Sequence, residues 1–322
     1  MKIVYSIYYA FWWLISLLPF RVLYLLSGGL YLLIAHGVKY RHKVIWKNLT
    51  DSFPEKSETE LHTIEKQFYR LFCDYIVETI KMMTISKAEF RRRMVYTGTE
   101  EVNRLLKEGQ SVAVYLGHVF NWEWMTSLPL WITEDCQCCE LYHPLENAAM
   151  DKLFKVVREK QNALCIPMQE SLRKIMQFNR EGHPVVVGYI ADQVPLWWNI
   201  HHWTDFLHHD TPVLTGTERI VRHTNQAVFY GDIRRLKRGY YQCDMRLMTT
   251  EPKKTTEWEI TDWYFKMLEE SIRREPANWL WSHNRWKRTH EEFDRDWIEK
   301  DGKVVRRENN ETSENLKTRL ER

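Results

Sequence analysis

The chain has 322 residues, 44% of them hydrophobic and 28% charged, enough to bury one sizeable core without disulfides or metals. Its 46 basic and 43 acidic side chains leave a formal charge of +3, too balanced for a protein that binds nucleic acid by neutralising phosphates. Three of its six cysteines crowd into Cys136, Cys138 and Cys139, a spacing unlike a secreted disulfide framework, and a zinc module built on these thiols and His143 is a remote alternative.

No charge interrupts the chain from Ile3 to Phe20, and after Arg21 a second uncharged stretch runs from Val22 to Val38. Lys39, Arg41, His42, Lys43 and Lys47 follow at once, and basic residues mark the cytoplasmic flank of a membrane anchor. The expectation is an N-terminal anchor over residues 1–40, one span or a re-entrant hairpin, in an inner membrane. A catalytic domain over residues 41–300 follows on the cytoplasmic face, with a charged, disordered tail over residues 301–322. A buried amphipathic helix pair with Arg21 at its edge is the alternative.

Residues 57 to 83 carry helical periodicity, with Ser57 and Glu60 as a capping box and Leu61, Ile64, Phe68, Leu71 and Ile76 on the apolar face. Ser111 to Leu116 is a short apolar run ending at Gly117-His118, and Pro184 to Ile190 repeats that pattern before Ala191-Asp192-Gln193. Both read as strands buried on two faces. Between them a strand near Glu140 to Tyr142 and a helix over 147–160 are expected, and strands at 226–235 and 239–248 precede a helix at 257–274. The fold class is α/β, with a mixed, mostly parallel central sheet flanked by helices. Sites in such sheets gather at the carboxyl ends of strands, so His118 and Asp192 are expected to face one cleft.

The segment Gly117-His118-Val119-Phe120-Asn121-Trp122-Glu123 sets an imidazole and a carboxylate five positions apart. If the chain turns into a helix here, Glu123 reaches back to the ring, fixing its tautomer and leaving the other nitrogen to take a proton from a hydroxyl. Near the carboxyl end, Trp279 to Arg288 places His283, Arg285, Lys287 and Arg288 among aromatics, a setting for phosphate recognition by arginine or for a structural closing segment. His201, His202, His208 and His209 are unsuited to holding one ion, because consecutive histidines do not aim at a common point.

Gly117-His118 with Asn121 and Glu123 resembles the hallmark of the lysophospholipid acyltransferase superfamily and, within it, the lipid A biosynthesis acyltransferases. Further similarity runs from Asn48 and Phe53-Pro54 through 142–147 to Arg158, then Asp192-Gln193, Phe206, Thr211 to Gly216, and Trp279 to Lys287. The resemblance implies transfer of a fatty acyl chain from an acyl-carrier-protein thioester to a hydroxyl of a lipid A precursor, with no cofactor or metal. It implies His118 as general base and Glu123 as its orienting partner, with Asn121, Arg158, Asp192, Gln193 and Arg285 at the substrate site. The stretch Val194 to Trp203 departs from the family's short glycine-containing loop, and its tryptophans suit an acyl channel, the bilayer or simple loop packing. Two rivals stand beside this reading: a glycerophospholipid or aminolipid O-acyltransferase with the same pair, and a non-catalytic lipid-binding membrane protein.

Overall fold

Pro19 has no amide hydrogen to continue a helix, and it divides the N-terminal apolar stretch into α1 (Lys2–Leu17) and α2 (Phe20–Tyr31). A computed structural model describes residues 2–307 of the chain. Beyond α2 the helix widens into a π-helical turn over Leu32–Gly37, and α3 (His42–Ser52) follows. The long helix α4 (Glu58–Lys81) opens on the expected capping box: Glu60 N–H donates to the Ser57 hydroxyl, and Ser57 N–H donates to the Glu60 carboxylate.

The alternating part of the chain then runs α5 (Lys87–Arg93), β1 (Met94–Thr97), α6 (Thr99–Lys107), β2 (Val112–Leu116), β3 (Gln137–Tyr142), α7 (Ala148–Arg158) and β4 (Ala163–Pro167). It continues with α8 (Ser171–Arg180), β5 (Val185–Ile190), a hairpin of β6 (Ile200–Phe206) and β7 (His209–Leu214), and α9 (Gly216–Thr224). Two long strands, β8 (Ala227–Lys237) and β9 (Tyr240–Thr249), precede α10 (Glu259–Arg274), α11 (His290–Asp296) and a final pair, β10 (Trp297–Lys300) and β11 (Lys303–Arg306).

Seven strands form one sheet in the order β1-β9-β8-β2-β5-β3-β4, and only the β8–β9 pair is antiparallel. The expected mixed, mostly parallel α/β sheet is therefore the observed one. All five residues of β2 are buried, which explains why this central strand reads as an unbroken apolar run.

Residues 301–307 depart from the expectation of disorder. Asp301 and Gly302 both adopt positive φ, the conformation a two-residue hairpin loop demands, and they join β10 to β11 with Val304 buried beneath. The rest of the expected tail, 308–322, lies outside the described residues.

Candidate active site

Strands β2 and β5 are parallel neighbours, and Leu116 pairs with Ile190 at their carboxyl ends. His118 and Asp192 each stand two residues further on, so the register alone brings them side by side. His118 Nδ1 lies 2.6 Å from Asp192 Oδ1, and the His118 backbone N–H donates to Asp192 Oδ2 at 2.8 Å. The Trp279 indole N–H donates to the same oxygen at 2.7 Å. Burial would raise the Asp192 pKa, yet the charge of His118 and these donors outweigh it and hold the carboxyl at about 2. Gly117 is closely covered, since a Cβ there would come within 2.5 Å of a Leu268 methyl of α10 and force that side chain to shift.

The expected contact between His118 and Glu123 does not form. Val119 to Asn121 are not helical, Phe120 takes positive φ, and the helix begins only at Trp122 and is of the tighter 3-10 type. The segment is pinned in that shape by Phe120 N–H donating to the Asn278 carbonyl and by Val119 bridging to Trp279. Glu123 consequently points to Arg158 at the end of α7, accepting from Nε at 2.8 Å and Nη2 at 2.6 Å. This is a bidentate pair with Glu123 almost wholly buried. Burial opposes the charge on Arg158, but Glu123 outweighs it and keeps the guanidinium firmly protonated.

A cavity of about 600 Å³ opens beside His118. Its floor is one face of the sheet: Val114 and Leu116 of β2, Gly188 and Ile190 of β5, Glu140 of β3 and Ala163 of β4. Met125 and Leu128 of the 3-10 helix wall it, and His118, Glu123, Arg158 and Gln193 supply polar groups. Gln193 Nε2 lies 3.2 Å from His118 Nε2. The rim is greasy, since Leu145, Met168 and Leu196 line the cavity and are also exposed to solvent. The Glu140 carboxyl has no hydrogen-bond partner among the described residues, and burial pushes it up to about 8.

Three expected substrate residues do not line this cavity: Asp192, buried against the His118 ring, Asn121 and Arg285. Asn121 is buried and donates to Glu78 at 2.9 Å, beside Tyr24 and Tyr241, whose hydroxyls donate to the same carboxylate. Arg285 is fully buried, donates to the Pro212 carbonyl and stands over the Phe265 ring. Of the two expectations for this segment, anion recognition and structural closure, the burial of Arg285 against Phe265 fits the second. Glu140, the cavity's second acid beside Glu123, carries no signal in the sequence beyond one polar residue in a strand. The tryptophans after Gln193 divide: Trp197 stacks on Trp297, Trp203 stacks on His290, and Trp198 is exposed, while neighbouring Leu196 and Asn199 line the cavity.

A family model described as bacterial lipid A biosynthesis acyltransferase matches residues 1–288. The chain belongs to that family. Among its relatives, a lipid A biosynthesis lauroyltransferase of Escherichia coli is 23% identical over 285 residues, covering 85% of this chain and 88% of the relative. A lipid A biosynthesis acyltransferase of Haemophilus influenzae is 21% identical over 176 residues, 55% of this chain and 54% of the relative. A lipid A biosynthesis acyltransferase 2 of Shigella flexneri is 22% identical over 138 residues, 42% of this chain and 43% of the relative. The chain thus spans about half the length of these last two relatives and most of the first. In this member of the family the half-buried His118, backed by buried Asp192, stands against a largely apolar cavity, and one N-terminal helix among the described residues, Phe20–Gly37, is long and apolar enough to cross a membrane.

Proposed function

We propose that this acyltransferase moves a fatty acyl chain from an acyl-carrier-protein thioester to a hydroxyl of a membrane-bound lipid A precursor, with His118 as general base. The observation that carries the reading is the 2.6 Å contact of His118 Nδ1 with ionised Asp192 at the edge of the apolar cavity. A carboxylate there keeps the proton on Nδ1 and directs the Nε2 lone pair toward Gln193 and the cavity. The acceptor hydroxyl displaces the Gln193 amide from Nε2 and gives up its proton as its oxygen attacks the thioester carbonyl. Collapse of the tetrahedral intermediate expels the carrier's thiolate, which takes the proton from His118.

Asp192 rather than Glu123 is the orienting carboxylate in this scheme. Glu123 instead fixes Arg158 at the cavity wall, where the guanidinium edge not engaged by Glu123 faces the developing oxyanion. Asn121, held by Glu78, and Arg285, behind Phe265, act as positioning residues. The sheet face from Leu116 down to Ala163 receives the acyl chain.

Mass spectrometry of lipid A from a strain lacking the protein tests the acceptor. The expected result is a species short of one secondary acyl chain, restored by the wild-type gene and not by His118→Ala. Unchanged lipid A together with an altered glycerophospholipid or aminolipid would point to the other acceptor class.

A further inference from the structure

We propose that the N-terminal helices do not cross the bilayer but lie along one leaflet, with one face of α1 and α2 in its acyl chains and the opposite face fixed to the globular body. The apolar surface is plain: Ile3, Ile7 and Leu14 of α1 and Leu25 of α2 are each more than half exposed, and Arg21 is the sole charge between Ile3 and Val38. Such a contiguous surface calls for lipid rather than water. Exposed Lys39 and Lys43 stand just beyond it, where anionic headgroups would lie.

What excludes a crossing is the other face. On α1, Tyr5, Tyr8 and Trp12 recur at helical spacing and pack against the body; Trp12 meets Phe154 edge-on and Lys152 caps the Tyr5 ring, both from α7. At the turn, Lys81 of α4 donates to the carbonyls of Ser16 and Leu18 at 2.7 and 2.9 Å. On α2, Ser27 donates to Asp74 at 2.7 Å and Tyr24 to Glu78 at 2.8 Å, while Arg93 lies over Phe20. Arg238 closes the arrangement, donating to Asp74.

These contacts run from Tyr5 to Leu18 and from Phe20 to Ser27. If α2 crossed the bilayer, Asp74, Glu78, Arg93 and Arg238 would be carried into hydrocarbon with it, and α1 would drag the lysines of α7. Lying in one leaflet, each helix keeps its polar partners at the protein and its greasy side in lipid. The same contacts tie α2 to the catalytic segment, because Glu78 accepts from both Tyr24 and Asn121.

The test uses the full-length protein in its membrane, carrying an epitope tag at each terminus, and a Leu17→Cys variant, Leu17 being half-exposed at the turn between the helices. Protease and a membrane-impermeant maleimide are applied to intact spheroplasts and to inverted vesicles, with the wild type giving the background from its six cysteines. The expected result is both tags on one side and no labelling of Leu17→Cys above background from the other. An amino-terminal tag opposite the carboxyl-terminal one would mean a single span, and a Leu17→Cys thiol reached from the far side would mean a spanning hairpin. Either overturns the proposal, as would release of the intact protein by carbonate washing. None of these readouts depends on acyl transfer, so failure here leaves the catalytic reading untouched, and the reverse holds too.

Discussion

Asp192, not Glu123, is the carboxylate on the His118 ring, 2.6 Å from Nδ1, because the parallel register of β2 and β5 carries both residues to the same level of the sheet. The five-residue spacing of His118 and Glu123 serves a different pairing. It lets one short segment present the imidazole to Asp192 and the carboxylate to Arg158.

Asp192→Asn is therefore expected to lower the rate of transfer by about 10²- to 10⁴-fold with KM little changed, because an amide no longer fixes the ring's tautomer or supports its positive charge. Steady-state kinetics with acyl-carrier protein and a lipid A precursor would check it. A fall in activity explained wholly by a raised KM would speak against the assignment.

Glu123→Gln should act first on stability. It leaves the Arg158 guanidinium, 21% exposed, without its counter-ion, and breaking a buried pair in this way costs about 3–5 kcal/mol, reduced here by the partial exposure. Thermal unfolding in detergent should show a clearly lowered Tm, larger than for Asp192→Asn. An unchanged Tm would mean that the pair contributes nothing.

The cavity predicts a chain-length effect. Gly188 faces it between Val114 and Glu140, and a Cβ there would make only ordinary contacts, 3.8 Å from Leu116 Cδ1 and the Cys139 carbonyl. Gly188→Val should fold and fill part of the acyl space, shifting preference toward shorter donors by about 10- to 100-fold in kcat/KM. Competition between two acyl-carrier proteins of different chain length reads this directly.

Glu140 predicts a pH dependence of stability. Its folded pKa, about 8, is above its ordinary value of 4.5, so the folded state binds the extra proton between those limits. The contribution is full below pH 4.5 and is lost as pH rises toward 8. Glu140→Gln should remove that decline, giving a variant more stable than wild type above pH 8 and one whose Tm varies less over the interval. Parallel pH profiles of the two proteins would expose the mistake.

Much of this architecture is legible in the sequence, and the exceptions have physical causes. Strands β2 and β5 declare themselves because both faces are buried, whereas β1 and β4 are short and mixed in composition, and β1 exists only through its pairing with β9. The β10–β11 hairpin was signalled by Asp301-Gly302 but hidden by the charge around it. At the site, the nearness of Glu123 in sequence favoured a helical contact that the positive φ of Phe120 and the 3-10 turn forbid. Asp192, 74 positions away, is legible as a residue of the same cleft from its place at a strand end, but its contact with the His118 ring follows only from the pairing of β2 with β5.

The most direct test of the catalytic claim is the single-turnover rate of acyl transfer by His118→Ala, purified in detergent and shown by thermal unfolding to keep the wild-type fold. The account predicts loss of transfer to near background, with binding of the acyl donor retained. A folded His118→Ala protein that transfers at close to the wild-type rate would contradict it.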